Sequence, residues 1–402
     1  MNLSSRSSTL LILACVGHFL VDTMIGIWPL FKLEAGIEIA LAALLTGVCV
    51  VIGEGLQAYF GSLADRGYVL ALLALGPVLA AVSAFLPYGN GLYFYAFCLI
   101  CTYIGSSAFH PTAAGVVASL DPKRANVLVA IFHSSGLVGL ALSQTLYSLT
   151  TYERAYPSTW LLAVPALLVA IALFIAKNKV PLEKTISKKS ETHFLKTMLG
   201  YFKIQPLRLL YFILLFNQIV IWSIMFLIPD FIVSRTDEAW MILGGGNLVY
   251  VLGAACAAVP LGFLADRLQP DKVIFSVMVL AAGVLYALLL SPELSPLYMS
   301  ILLFIAGGCL GAVQPLSIAL GIKFIPTERG MISAFLMGFV WIFSEGVGIS
   351  LSGVLASLFS EDAPAKSLLI MSIGTIISAA LAYRLIRLQK SLAVAAVRNL
   401  SS

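Results

Sequence analysis

Apolar residues in this chain neither alternate nor recur in narrow stripes; they run in long blocks separated by short polar connections. The blocks fall near residues 9–31, 38–62, 69–87, 92–119, 126–149 and 157–176, and again near 207–233, 239–265, 271–290, 295–322, 331–358 and 365–387. Each is long enough to cross a hydrocarbon core about 30 Å thick as a helix. Inside such a core each backbone N–H and C=O must be satisfied within its own segment, which favours helices. The pattern therefore predicts an all-α polytopic membrane protein with twelve transmembrane helices in two pseudo-symmetric six-helix bundles. The expected organisation is a bundle over 1–176, a linker over 177–206 and a second bundle over 207–402.

The first block follows Arg6 and superficially resembles a signal peptide. It is too long, carries His18 and Asp22, and lacks a small-residue cleavage site, so it is expected to stay attached as the first span. The linker is basic and rich in Ser and Lys. Within it, His193 to Phe202 fits a short amphipathic helix on the inner leaflet; a solvated tether between halves is the plainer alternative.

Composition excludes a soluble protein. Hydrophobic residues make up 60% of the 402 and charged residues 11%, against about 45–50% and about 25% in soluble domains. The net charge of +5 changes the picture only through its distribution. Of the 24 Lys and Arg, only Lys32, Arg154, Arg235 and Lys366 fall on one side of the predicted membrane, and the other 20 fall on the opposite side with the tails and the linker. Such sorting places both termini in the cytoplasm and argues against a nucleic-acid face. All six cysteines lie inside apolar blocks. Cys98 and Cys101 have CxxC spacing without a second pair or a convergent histidine, which reads as packing rather than a metal site. No cofactor is expected.

An internal repeat divides the chain in the same place. Gly61-Ser-Leu-Ala-Asp65-Arg66 returns as Gly262-Phe-Leu-Ala-Asp266-Arg267. His18 and Pro29 of the first span answer Gln218 and Pro229 of the seventh, and His110-Pro111 answers Gln314-Pro315. Lys123-Arg124 answers Glu328-Arg329. Four matches in order at offsets of 200 to 205 indicate duplicated six-helix units, one route to a midplane site open alternately to each side. In the repeated loop, glycine is expected to permit close helix approach. The acidic residue is expected to face a helix N-terminus or an Arg as a cytoplasmic latch; the plain alternative is a turn that only sets topology.

Ionisable groups within lipid cost roughly 2.5–3.5 kcal/mol each, so the few present are informative. His18 and Asp22 lie four residues apart, on one helical face near the midpoint of the first span. Such a pair can hold an imidazolium or pass a proton, or it can brace the bundle as a static hydrogen bond. His110 precedes Pro111, which loosens the fourth span there. His133 lies at similar depth in the fifth span, followed by Ser134, Ser135 and Gly136, where a structural histidine is equally in keeping. Glu54 and Glu345 are the remaining deep carboxylates. Gln57, Asn217, Gln218 and Gln314 add hydrogen-bonding capacity, and Trp222 and Trp341 flat apolar surface, for a substrate cavity.

The Gly-x-x-x-Asp-Arg loop and its copy resemble the signature loop of the major facilitator superfamily, although Gly67-Tyr68-Val69 stands where more basic residues are common. That resemblance implies the superfamily fold, a central cavity, and a seam on which the spans of Glu54 and Glu345 face each other. Gly17-His18-Phe-Leu-Val-Asp22, Gln57 with Gly61, Gly105-Ser-Ser-Ala-Phe109-His110-Pro111 and Ile131-Phe132-His133-Ser-Ser-Gly136 are similar to segments of the fosmidomycin resistance protein family. Those proteins are drug:proton antiporters of the bacterial inner membrane. The likeness is clearest over 14–140. It departs at Thr112 and Gly115, where the family often has Glu and a basic residue, and at His133, where a glutamine is expected. The family's substrate is therefore not carried over.

The expected function is proton-coupled efflux of a small organic solute by alternating access, by a functional monomer whose partners are that solute, protons and membrane lipid. Uptake of a metabolite or siderophore is the alternative. No nucleophile–base–orienter set or phosphate-cradling loop is evident, so an enzyme is not expected. Without a nucleotide-binding domain the drive is an ion gradient, and histidines suit protons better than sodium.

Overall fold

The computed structural model describes residues 5–121, 124–176 and 191–401, and every regular element among them is helical. The first span is α1 (Ser5–Ile25) and α2 (Trp28–Glu34), broken where Pro29 enters the first turn of the new helix. The second is α3 (Ile39–Glu54) and α4 (Gln57–Leu63), broken at Gly55 and Leu56. A π-type turn over Ala64–Tyr68, with Gly67 at φ 100°, leads into α5 (Val69–Ala80), the third span. The fourth and fifth spans are α6 (Leu92–Ser119) and α7 (Ala125–Thr151), and the sixth ends in α8 (Val164–Ile175). After α9 (Glu191–Tyr201) come α10 (Gln205–Val233), α11 (Gly246–Leu268), α12 (Pro270–Leu290) and α13 (Pro296–Phe324). The eleventh span is α14 (Arg329–Leu336) with α15 (Gly338–Ser357), and the twelfth is α16 (Ala363–Met371) with α17 (Ile373–Ser401).

Ten helical runs are long and apolar enough to cross a membrane. One of them, Ile39–Tyr88, contains both the second and third spans, and the shorter apolar helix Thr159–Ile175 supplies the sixth. Counted this way, the described residues hold the twelve spans that the hydrophobic blocks predict. Large apolar side chains such as Ile12, Phe97, Leu168 and Phe263 stand exposed, as a surface solvated by lipid requires.

Packing divides the chain into two compact units, one formed by residues 1–188 with Ile228–Val251 and the other by Lys189–Leu227 with Leu252–Ser402. In the first, α1 lies along α7. A methyl at Gly139 would fall 2.1 Å from the carbonyl oxygen of Phe19, so the crossing needs glycine. Lys32 of α2 and Asp230 of α10 form an ion pair with both side chains buried. Lys32 is one of the cations that the sequence places in an outer connection; the fold takes it out of contact with solvent instead.

In the second unit, Met198 and Tyr201 of α9 are buried. Tyr201 donates to Glu328, and its ring lies 5.4 Å from that of Phe335. Burial, with this hydrogen bond, pushes the Tyr201 phenol well above its usual range. Where the sequence suggests a helix over His193–Phe202, α9 runs over Glu191–Tyr201 and packs on its own unit through these side chains. Lys123 and linker residues 177–190 lie outside the described residues.

The repeated loop corrects one expectation. Nothing lies within 4 Å of a methyl placed on Gly61 or Gly262, so neither glycine serves a close helix contact. In the first copy the glycine that the backbone requires is Gly67, whose positive φ disfavours other residues. Among the described residues, Asp65, Arg66, Asp266 and Arg267 make no ion pair.

Candidate functional site

The ionisable residues of the first unit converge. His18 and Asp22, one turn apart on α1, point toward α6 and α7. His18 Nε2 lies 3.4 Å from Asp22 Oδ2, and His110 Nε2 of α6 lies 3.1 Å from Asp22 Oδ1. One carboxylate thus stands between two imidazoles, whose ring centroids are 4.8 Å apart. The outer nitrogen of each ring is also engaged. His18 Nδ1 is 2.7 Å from the carbonyl oxygen of Phe132 on α7, and its ring stacks on Phe132 at 4.1 Å. His110 Nδ1 is 3.0 Å from Ser106 Oγ, one turn earlier on α6, and Ser106 donates to Glu54 Oε1 at 2.8 Å. Gln57 Nε2 donates to the other oxygen of Glu54. The His133 ring lies 6.4 Å from that of His18, at the margin of the group.

Glycine is what allows α7 to close over this cluster. A methyl on Gly136 would fall 2.4 Å from both Asp22 Oδ2 and His18 Nε2. The fold therefore unites His18, Asp22, His110 and Glu54, with His133 beside them, and adds Ser106 and the Phe132 carbonyl, which the sequence reading did not single out. Ser106 carried a usable signal, since it precedes His110 by four residues as His18 precedes Asp22. The Phe132 carbonyl carried none, because any residue offers one.

The hydrogen-bonding logic is restrictive. A carbonyl only accepts, so His18 Nδ1 must carry a proton. A neutral His18 then turns the lone pair of Nε2 toward a carboxylate oxygen, two acceptors face to face. A proton on Nε2 converts this contact into a charge-assisted hydrogen bond. The donor atoms of His18, Asp22 and His110 all lie within 4.8 Å of one another, a spacing that also admits a metal ion. The 3.1 Å His110–Asp22 contact is itself a hydrogen-bond length, with His110 Nε2 as donor and the carboxylate as acceptor.

In the second unit the repeat counterparts of His18, Asp22 and His110 are the neutral Gln218, Trp222 and Gln314, and Glu345 is a buried carboxylate outside that set. Asn217 Nδ2 donates to the Leu310 carbonyl at 3.2 Å, tying α10 to α13, and Ser223 donates to the Gly348 carbonyl at 3.0 Å, tying α10 to α15. Gln218, Gln314 and Glu345 are buried. The indole N–H groups of Trp222 and Trp341 and the Gln314 amide nitrogen are buried with no hydrogen-bond partner among the described residues. These donors can serve a solute that brings acceptors.

The sequence profile of the Major Facilitator Superfamily matches residues 8–246 and 240–398. No curated protein matches the sequence. Among solved structures, the chain is similar to a bacterial homologue of the human lysosomal transporter Spinster in its inward-facing, unoccupied conformation. That match has a TM-score of 0.77 at 15% identity and covers 96% of this chain and 98% of the other. A mutant of the nucleoside transporter NupG matches with a TM-score of 0.73 at 14% identity, over 95% of this chain and 100% of its own. At such identity these likenesses speak for the fold. With the family profile covering both halves of a twelve-span chain, the protein belongs to the Major Facilitator Superfamily and is a multi-pass membrane transporter of a small solute, not an enzyme.

Proposed function

We propose that the protein is a proton-coupled secondary transporter that exports a small organic solute by alternating access, with the Asp22 cluster as its coupling site. The observation that carries this reading is the position of Asp22 between His18 and His110 while His18 Nδ1 is committed to the Phe132 carbonyl. That commitment leaves a specific seat for one further proton at the His18–Asp22 contact. Filling the seat lowers the net charge penalty of enclosing the site, so proton occupancy biases one conformation over the other. The neutral donors and indoles of the second unit supply the solute contacts. The charge sorting supports both termini in the cytoplasm. The resemblance to the fosmidomycin resistance family supports a bacterial inner membrane, and the proposed working unit is a monomer in lipid. The likeness to the fosmidomycin resistance family over 14–140 supports antiport without naming the solute.

The test is Asp22→Asn in proteoliposomes, with solutes first screened for transport under an imposed pH difference. Asparagine keeps the shape of a protonated carboxyl and cannot release a proton. Uphill flux is expected to vanish while solute exchange, which needs no net proton movement, continues. Normal uphill flux in this variant refutes the assignment; loss in His133→Gln alone moves the coupling site to α7.

A further inference from the structure

Ser106 sits where two proton-binding groups on different helices meet. Its hydroxyl is buried, 3.0 Å from His110 Nδ1 and 2.8 Å from Glu54 Oε1. Glu54 is the last residue of α3, next to the break that separates α3 from α4. The far oxygen of Glu54 is held by Gln57, the first residue of α4. The charged and titratable groups around this path are His18 and Asp22 of α1, Glu54 of α3, His110 of α6 and His133 of α7.

We propose that Ser106 is a proton relay that joins Glu54 to the Asp22–His18–His110 cluster, so that a proton taken up at one is released at the other. This deepens the proton-coupled reading above and rests on it. A hydroxyl has one proton to give and lone pairs with which to accept. In one arrangement Glu54 is ionised, Ser106 donates to it, and His110 donates through Nδ1 to Ser106 and through Nε2 to Asp22 as an imidazolium. In the other, Glu54 is protonated and donates to Ser106, Ser106 donates to His110 Nδ1, and the neutral ring keeps its Nε2–H on Asp22. To pass from the first to the second, the Nδ1–H bond breaks as an Oγ–H bond forms. The original Oγ–H bond breaks as Oε1–H forms. One proton leaves the ring, a different one arrives on the carboxylate, and the total charge of the group is unchanged. No heavy atom has to travel, because both gaps are already hydrogen-bond lengths. The relay delivers its proton to the joint of the second span, where the Glu54–Gln57 contact bridges two helical segments.

The experiment uses protons alone. The full-length protein in lipid nanodiscs is given a pH jump and followed by time-resolved infrared spectroscopy. The Glu54 carboxyl band is assigned as the one that Glu54→Gln removes. In Ser106→Ala the appearance of that band should slow by about tenfold or more, the scale on which a positioned proton-transfer group acts. Ser106→Thr, which restores the hydroxyl, should return it to within about threefold of the parent. Ser106→Cys fills the same space with a weak hydrogen-bonding group and should resemble Ser106→Ala, which separates the relay from packing. An unchanged rate in Ser106→Ala and Ser106→Cys overturns the relay, as does a Glu54 carboxyl that never responds to pH. A Ser106-dependent band in a protein whose solute flux ignores a pH gradient would leave the relay standing and remove the coupled-transport reading.

Discussion

The two units are duplicates in plan and opposites in chemistry. At the repeat offset of 200, His18 and Asp22 of α1 stand where α10 carries Gln218 and Trp222, and at 204 His110 stands where α13 carries Gln314. The first unit turns these positions into a chain of titratable groups running from His18 through Asp22, His110 and Ser106 to Glu54. The second turns them into amide and indole donors, and the nitrogens of Trp222 and Gln314 are buried without partners among the described residues. One scaffold thus tolerates either a closed hydrogen-bond network or a set of waiting donors. Under the proposed function, ion handling and solute handling fall in different halves of the duplicated chain.

The sharpest way to break this comparison is to exchange the chemistry. His110→Gln gives α6 the residue that α13 has. It should reduce uphill flux by about a hundredfold, as loss of a positioned proton carrier does, with exchange preserved. Gln314→Leu should instead raise KM several-fold and leave the number of protons moved per solute unchanged, because losing one hydrogen bond to a bound solute costs about 1–2 kcal/mol. Paired flux and pH-dye measurements distinguish the two, and a change of proton stoichiometry in Gln314→Leu would erase the division of labour.

A second test concerns the Lys32–Asp230 pair, buried in the first unit. Lys32→Met leaves a buried carboxylate without its cation, a loss of roughly 3–5 kcal/mol, and Lys32→Met with Asp230→Leu should recover much of it. Thermal unfolding in detergent reads both. Equal destabilisation of the single and double variants would mean that the side chains matter for packing rather than charge.

The smallest effect is expected at Tyr201. Its phenol is held protonated in the folded protein, whereas an unfolded tyrosine ionises near pH 10. The unfolded state therefore loses this proton first as pH rises. The contribution of Tyr201 is full below about pH 10 and is lost above it. Tyr201→Phe should flatten the alkaline limb of stability against pH, measured by unfolding between neutral pH and pH 11, and leave the neutral side less affected.

Much of this architecture is legible in the sequence, for reasons that the structure makes concrete. Lipid forces hydrophobic blocks of spanning length, so the spans can be read directly. Helical periodicity puts His18 beside Asp22 without reference to any other helix. What periodicity cannot supply is contact between distant segments. His110 lies 88 residues from Asp22, and Lys32 lies 198 residues from Asp230. A lysine beside a span boundary reads as an outer-loop charge until its partner is known. Gly61 and Gly262 mislead in the other direction: a repeated glycine invites a packing explanation, and the space beside both is open.

Gly136 carries a consequence for descent. With Asp22 and His18 in place, even one carbon at position 136 would lie 2.4 Å from an oxygen of one and a nitrogen of the other. Lineages that enlarge position 136 must therefore first lose or redirect both the acid and the imidazole on α1, whereas those that lose both first are free to fill the gap. Once filled, that gap bars the way back, because a carboxylate restored at position 22 would meet a side chain where it needs empty space. Loss of the acid can thus become irreversible through a substitution on another helix, and position 136 is where that ratchet would be read.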